Sequence, residues 1–141
     1  MKRFLQVAAM VLVLAGCART APEESLRRTI GEVQTAIEER DAGAVADGIA
    51  QDFIGPGGMD RKAAQRLAAV VFLQNRKVGV TLGPLDIKLQ PGGATVKCTA
   101  ALTGGDSALL PTSGQVYDVT STWRQDGDDW ELVSAEWEPR L

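Results

Sequence analysis

An α+β domain is predicted by three observations on this 141-residue chain. Apolar residues recur with a helical period ahead of Arg76, the period changes to two after it, and Gly, Pro and Asp punctuate the second half. Helices followed by hairpin-linked strands give segregated layers: three N-terminal helices on one face of a curved antiparallel sheet.

The chain opens on a leader. Met1-Lys2-Arg3 is cationic, Phe4 to Ala15 is mostly apolar, and small residues lead to Cys17. A bilayer span needs about 20 apolar residues, and this run, interrupted by Gln6, is too short. Its layout is that of a bacterial secretory signal. Leu14-Ala15-Gly16-Cys17 resembles the lipobox of bacterial lipoproteins. That resemblance implies removal of residues 1–16, lipid on the Cys17 thiol and attachment to a membrane of the bacterial cell envelope. Each buried CH₂ contributes about 0.8 kcal/mol, so several acyl chains anchor a protein almost irreversibly. Ala18 stands where an Asp is associated with inner-membrane retention, so by the same resemblance the outer membrane, facing the periplasm, is expected. Residues 17–22 form the lipidated tether and 23–138 the domain.

Pro22-Glu23-Glu24 suits a helix start, because Pro fits the first turn and acids favour the positive end of the dipole. Leu26, Ile30, Val33 and Ile37 place one apolar stripe on a helix reaching about Arg40. Glu24 and Arg28 are spaced for a surface pair. Asp41-Ala42-Gly43 breaks that helix. Val45, Ile49 and Phe53 predict a second, shorter helix on the same core. Gly55-Pro56-Gly57-Gly58 is a loop, and Asp60 is placed to cap a third helix running to about Arg76. Leu67 to Leu73 is apolar almost all round, which predicts deeper burial for the third helix than for the first.

Val78, Val80 and Leu82 then share one face of a strand. Gly83-Pro84 interrupts the alternation, giving a bend, a bulge or two short strands before Leu85, Ile87 and Leu89 continue it. Pro91-Gly92-Gly93 is a turn. In the next strand Ala94, Val96, Cys98, Ala100 and Leu102 share a face, so Cys98 reads as a small buried hydrophobe. Gln115 to Arg124 is a further strand with Tyr117, Val119 and Trp123 on one side. Asp126-Gly127 signals a hairpin, and Trp130 to Trp137 is the last strand, stopped by Pro139.

Charge and composition exclude several function classes. The net charge is −3, and loss of Lys2 and Arg3 with the leader makes the mature chain more acidic. An acidic domain is a poor partner for phosphate backbones, so no nucleic acid binding is expected. About 115 residues are enough for one domain with its own core. Cys98 is the only cysteine besides Cys17, so the mature domain cannot close an internal disulfide. The chain contains no histidine. That removes Ser-His-Asp and Cys-His catalysis and most zinc or iron sites, and neither a metal nor a cofactor is read from the sequence.

The first amphipathic helix with Ile30, Val33 and Ile37, then Asp41-Ala42-Gly43-Ala44-Val45 and Asp52-Phe53, resemble the nuclear transport factor 2-like superfamily. The closing Gly127-Asp128-Asp129-Trp130-Glu131-Leu132-Val133 matches that superfamily's final hairpin. The resemblance covers residues 23–138. It implies the cone-shaped, cystatin-like fold shared with ketosteroid isomerases and SnoaL-like cyclases, and it allows a homodimer formed through the sheet. Dehydratases of this superfamily lean on histidine, so that branch is disfavoured. The isomerase branch implies an acid base and a tyrosine donor in an apolar pocket. Tyr117, the only tyrosine, is the donor candidate, and Glu131 or Glu136 on the last strand is the base candidate. Alternation along that strand groups Trp130, Leu132, Ser134 and Glu136 on one face and Glu131, Val133, Ala135 and Trp137 on the other. Asp86 and Asp118 fall opposite their strands' apolar residues.

Tyr117, Trp123 and Trp137 are the candidate walls of a pocket, although large aromatics more often fill a core. Asp52 is a carboxylate near where the family's pocket opens, or a helix-end residue. Arg61, Lys62 and Arg66 after the glycine loop form a solvated basic face, lacking the Gly-Lys-Ser/Thr ending of a phosphate loop. Asp126, Asp128 and Asp129 serve a turn, since their spacing misses that of a calcium loop. The leading expectation is a non-catalytic envelope lipoprotein whose domain binds a small apolar ligand or a protein partner. An isomerase- or cyclase-like enzyme and a structural accessory of an envelope complex are the alternatives.

Overall fold

Helix α1 spans Ala21–Glu38, and both of its ends are fixed by local chemistry. The computed structural model describes residues 19–106 and 113–140; the leader and Cys17 lie outside them. Thr20 caps the start, its hydroxyl accepting from the Glu23 N–H at 3.4 Å. At the other end Arg40 takes a left-handed conformation with φ 59°. Its N–H donates to the Ile37 carbonyl and that of Asp41 to the Ala36 carbonyl, both at 3.0 Å, which closes the helix in a Schellman arrangement. The Arg40 guanidinium reaches the Arg76 carbonyl at 2.9 Å. The pair on the helix surface is Glu23–Arg27 at 2.9 Å rather than the expected Glu24–Arg28, because Glu24 turns back to Arg19 at 3.8 Å.

Asp41 caps the six-residue α2, Ala42–Asp47. The expectation that Ile49 and Phe53 continue this helix is corrected: Gly48 ends it, and Ile49–Ile54 is a strand, β1. The spacing of Val45, Ile49 and Phe53 fits a helix, but pairing with a distant strand overrides it. A short 3-10 turn over Pro56–Gly58, with Gly57 and Gly58 both at positive φ, leads to α3, Arg61–Gln74. Asp60 caps α3 as expected, accepting from the Ala63 N–H at 2.8 Å.

The remaining strands are β2 (Lys77–Leu82), β3 (Asp86–Gln90), β4 (Gly93–Gly105), β5 (Ser113–Asp126) and β6 (Asp129–Pro139). Their order is β1-β6-β5-β4-β2, with β3 also on β4. β2 and β3 lie end to end along β4, so Gly83-Pro84 divides two short strands. Every pairing is antiparallel except β1–β6, which is parallel. The expected antiparallel sheet is therefore mixed, because β1 enters from the helical half of the chain.

The β6 register carries the main departure from simple alternation. Thr122 pairs with Ser134 while Trp123 pairs with Leu132, leaving Val133 as an extra residue. This bulge shifts the side-chain phase by one. Trp130 and Leu132 before it, and Ala135 and Trp137 after it, consequently all pack into the helix-side core. At one end of the sheet Leu26 of α1 packs with Ala94, Val96, Trp123 and Trp130. At the other, Ala36, Val45, Ile49, Phe53, Phe72 and Ala135 pack together, and Leu132 touches both groups. The two buried indoles are satisfied: Trp123 Nε1 donates to Ser121 Oγ at 2.9 Å and Trp130 Nε1 to Ser25 Oγ at 2.8 Å.

Two burial expectations are corrected. α3 lies at the edge of the fold against α2 and β1, and its inner residues Ala64, Ala68, Val71 and Phe72 face the core. Its outer residues Leu67, Val70 and Leu73 are 44, 48 and 87% exposed. An apolar composition on every side does not bury a helix that has neighbours on one side only. Cys98 is half-buried rather than buried, although it shares a face with Ala94, Val96 and Ala100.

Leu26→Ala empties a fully enclosed site and is expected to lower unfolding free energy by about 2–5 kcal/mol. Leu73→Ala is expected to change it by less than about 0.5 kcal/mol. Urea unfolding of the two variants measures the contrast.

Candidate functional site

Tyr117 on β5 stands opposite Ala100 of β4 and Pro139 of β6. It shares the helix-side face with Val119, which pairs with Cys98 on one side and Trp137 on the other. These four residues, Tyr117, Val119, Cys98 and Trp137, are half-buried and form an apolar row across three strands. Tyr117 and Trp137 are thus diagonal neighbours. Trp123 is not part of this row. It lies six residues along β5, about 20 Å away, enclosed beside Leu26 and Trp130. Its role is core filling.

Neither glutamate joins Tyr117. Glu131 pairs in register with Arg124, and Glu136 with Thr120, both on the outer face of the sheet. The bulge at Val133 is the reason. Simple alternation puts Glu131 and Glu136 on opposite faces and one of them inside, whereas the phase shift puts both outside. Among the described residues no carboxylate hydrogen-bonds the Tyr117 hydroxyl. The arrangement therefore lacks the acid–tyrosine pair that proton transfer would use.

Asp52 is neither at a helix end nor at a pocket mouth. It sits in β1 and forms an ion cluster that sequence reasoning missed. Arg124 donates to Asp52 through both terminal nitrogens, at 3.1 and 2.8 Å. The same guanidinium reaches Glu131 at 3.0 and 2.8 Å. Three strands are tied together on the outer face. Half of this was legible: Arg124 and Glu131 are equidistant from the Asp126–Asp129 turn, so a tight hairpin makes them cross-strand partners. The Asp52 arm depends on a parallel pairing that leaves no local mark. The hydrogen bonds from Arg124 hold the Asp52 carboxyl below its ordinary range. In turn they keep the guanidinium proton more firmly bound.

Arg61 is spoken for as well. It donates to the Ala46 carbonyl at 3.1 and 2.9 Å and to the Ile49 carbonyl at 3.1 Å, holding the end of α2 against the start of β1. It therefore belongs to the scaffold and not to a basic surface. A shallow, open depression of about 360 Å³ is lined by Pro84, Lys97, Cys98, Thr99, Asp118, Val119 and Thr120. Desolvation pushes the Cys98 thiol upward, which disfavours the nucleophilic thiolate. Asp118 pairs with Arg140 at 3.4 Å. Among the described residues no three acidic or cysteine side chains converge as metal ligands. No described helix is long and apolar enough to cross a membrane.

The Asp52 carboxyl is expected to titrate below an ordinary aspartate, and Arg124→Gln to bring its midpoint back up. Carboxyl NMR of both proteins measures this. A depressed carboxyl stabilises the fold above its unfolded pKa and loses that contribution as pH falls through the folded value. Acid unfolding should accordingly begin at higher pH in Arg124→Gln. Cys98 should react with iodoacetamide more slowly in the folded chain than in urea at the same pH, as followed by mass spectrometry.

No protein-family model and no curated protein sequence matches this chain. Solved structures do. A Bdellovibrio bacteriovorus protein superposes with a TM-score of 0.73 at 17% identity, over 83% of this chain and 41% of that one. The chain thus spans less than half of that neighbour. A Streptomyces avermitilis protein, described as a candidate dehydratase of the nuclear transport factor 2-like family, gives 0.73 at 17% identity over 85% of this chain and 97% of its own. A nuclear transport factor 2-like protein of unknown function from Pseudomonas putida gives 0.72 at 16% identity, over 87% and 89%. At such identities the likeness establishes the fold alone.

Proposed function

With a nuclear transport factor 2-like domain as its scaffold, we propose that this chain is a lipid-anchored lipoprotein of the bacterial envelope that binds rather than transforms its target. The separation of Glu131 and Glu136 from Tyr117 across the sheet supports this most directly. An isomerase-like reaction needs a carboxylate and a proton donor on the same side of one substrate. The dehydratase description of the Streptomyces neighbour does not transfer readily to a chain without histidine. The half-buried row of Tyr117, Val119 and Trp137 offers apolar area with one phenolic hydroxyl to orient what it meets. Its occupant is a small apolar ligand.

The anchor rests on Leu14-Ala15-Gly16-Cys17. Metabolic labelling with an alkynyl fatty acid should tag the wild-type protein, and Cys17→Ser should abolish both tag and membrane retention. Persistent labelling of Cys17→Ser would rule out the anchor. For the binding role, anilinonaphthalene sulfonate serves as the apolar probe. Saturable fluorescence that weakens several-fold in Tyr117→Ser is expected; identical titrations of the two proteins count against the row as the binding wall.

A further inference from the structure

The outer side of α3 is unlike the rest of the surface. Lys62, Arg66, Val70 and Gln74 form one ridge at a spacing of four, and Leu67, Val70 and Leu73 another at a spacing of three, with Arg76 and Lys77 following just past the helix end. The two cross at Val70. Leu73 is 87% exposed, and among the described residues nothing packs over it. The cations beside it are free: none of Lys62, Arg66, Arg76 or Lys77 enters an ion pair among the described residues. No acidic residue occurs between Asp60 and Asp86, in a chain that is otherwise net acidic. Lys62 in the first turn also opposes the helix dipole, so its place does not serve the helix itself.

We propose that this face docks a partner protein's amphipathic helix, one with an apolar stripe and acidic flanks. Ridges at three- and four-residue spacing suit another helix, with the partner's apolar side chains seated around Val70 and Leu73. Unpaired cations at both ends of the stripe select carboxylates at both ends of the partner. A second copy fits poorly, because two α3 faces would set cation against cation. A lipid surface fits poorly too. The residue just past α3 is joined to the one just past α1 by the Arg40–Arg76 bond, and Glu38 and Glu39 are exposed beside Arg40 at that end, where anionic headgroups would be repelled.

The test uses the full-length chain carrying Cys17→Ser and two synthetic helical peptides with the same leucine stripe, one flanked by glutamates and one by lysines. The glutamate peptide should bind, move the amide resonances of α3, weaken with added salt and exceed the lysine peptide by about tenfold or more. Val70→Ser with Leu73→Ser should abolish binding while circular dichroism and thermal melting stay unchanged. Lys62→Glu with Arg66→Glu should reduce or reverse the charge preference. Absence of binding, equal affinity for both peptides, or shifts centred on the sheet would overturn the proposal. So would phosphatidylglycerol vesicles that bind the chain and release the Val70/Leu73 variant, which would make the face a membrane contact. Sedimentation showing a dimer that the same variant dissolves would make it a self-interface and would equally overturn the proposal.

Discussion

One extra residue in the last strand governs how this domain packs. Val133 shifts the phase of β6, so the tryptophans at its two ends, Trp130 and Trp137, both face the helices. A strand without that shift would turn one of them to solvent and bring a glutamate inside. Burying an unpaired carboxylate is strongly unfavourable, and so is exposing an indole that seals a core. The bulge resolves both, and it lets Leu132 bridge two hydrophobic groups that would otherwise be separate.

The outer face is organised by the same choice. With Glu131 outside, Arg124 can hold it and Asp52 at once, which clips the edge strand β1 to the β5–β6 hairpin. These are exposed charges, screened by water and salt, so their value lies in fixing register more than in adding stability. The helix side, by contrast, is mostly apolar here: Tyr117, Val119, Cys98 and Trp137 sit together with no carboxylate among them. The chemistry of the two faces is thereby divided, carboxylates on one and apolar contact area on the other.

Features written in neighbouring residues were legible in the sequence. Asp60 caps α3, Asp126-Gly127 closes a hairpin with Gly127 at φ 61°, and alternation puts Tyr117 on one face of its strand with Val119 and Trp123. Features that depend on distant partners were not. Ile49 and Phe53 keep a helical spacing, and only β6 makes them a strand. The bulge has no compositional mark, since Val133 is an ordinary strand residue. The fate of Leu67, Val70 and Leu73 was equally hidden, because an apolar residue states a preference for burial and cannot say whether a neighbour exists to provide it.

Ser25 joins two hydrogen bonds at the first turn of α1: it accepts from Trp130 Nε1 at 2.8 Å and donates to the Pro22 carbonyl at 3.0 Å. Leu26, one residue on, is wholly enclosed. Any tension arriving along the residues ahead of Thr20 would therefore be stopped within one helical turn and handed to the closing hairpin. Under such a pull the body would respond as a rigid unit, and α1 would not begin to peel until an indole and a leucine let go together.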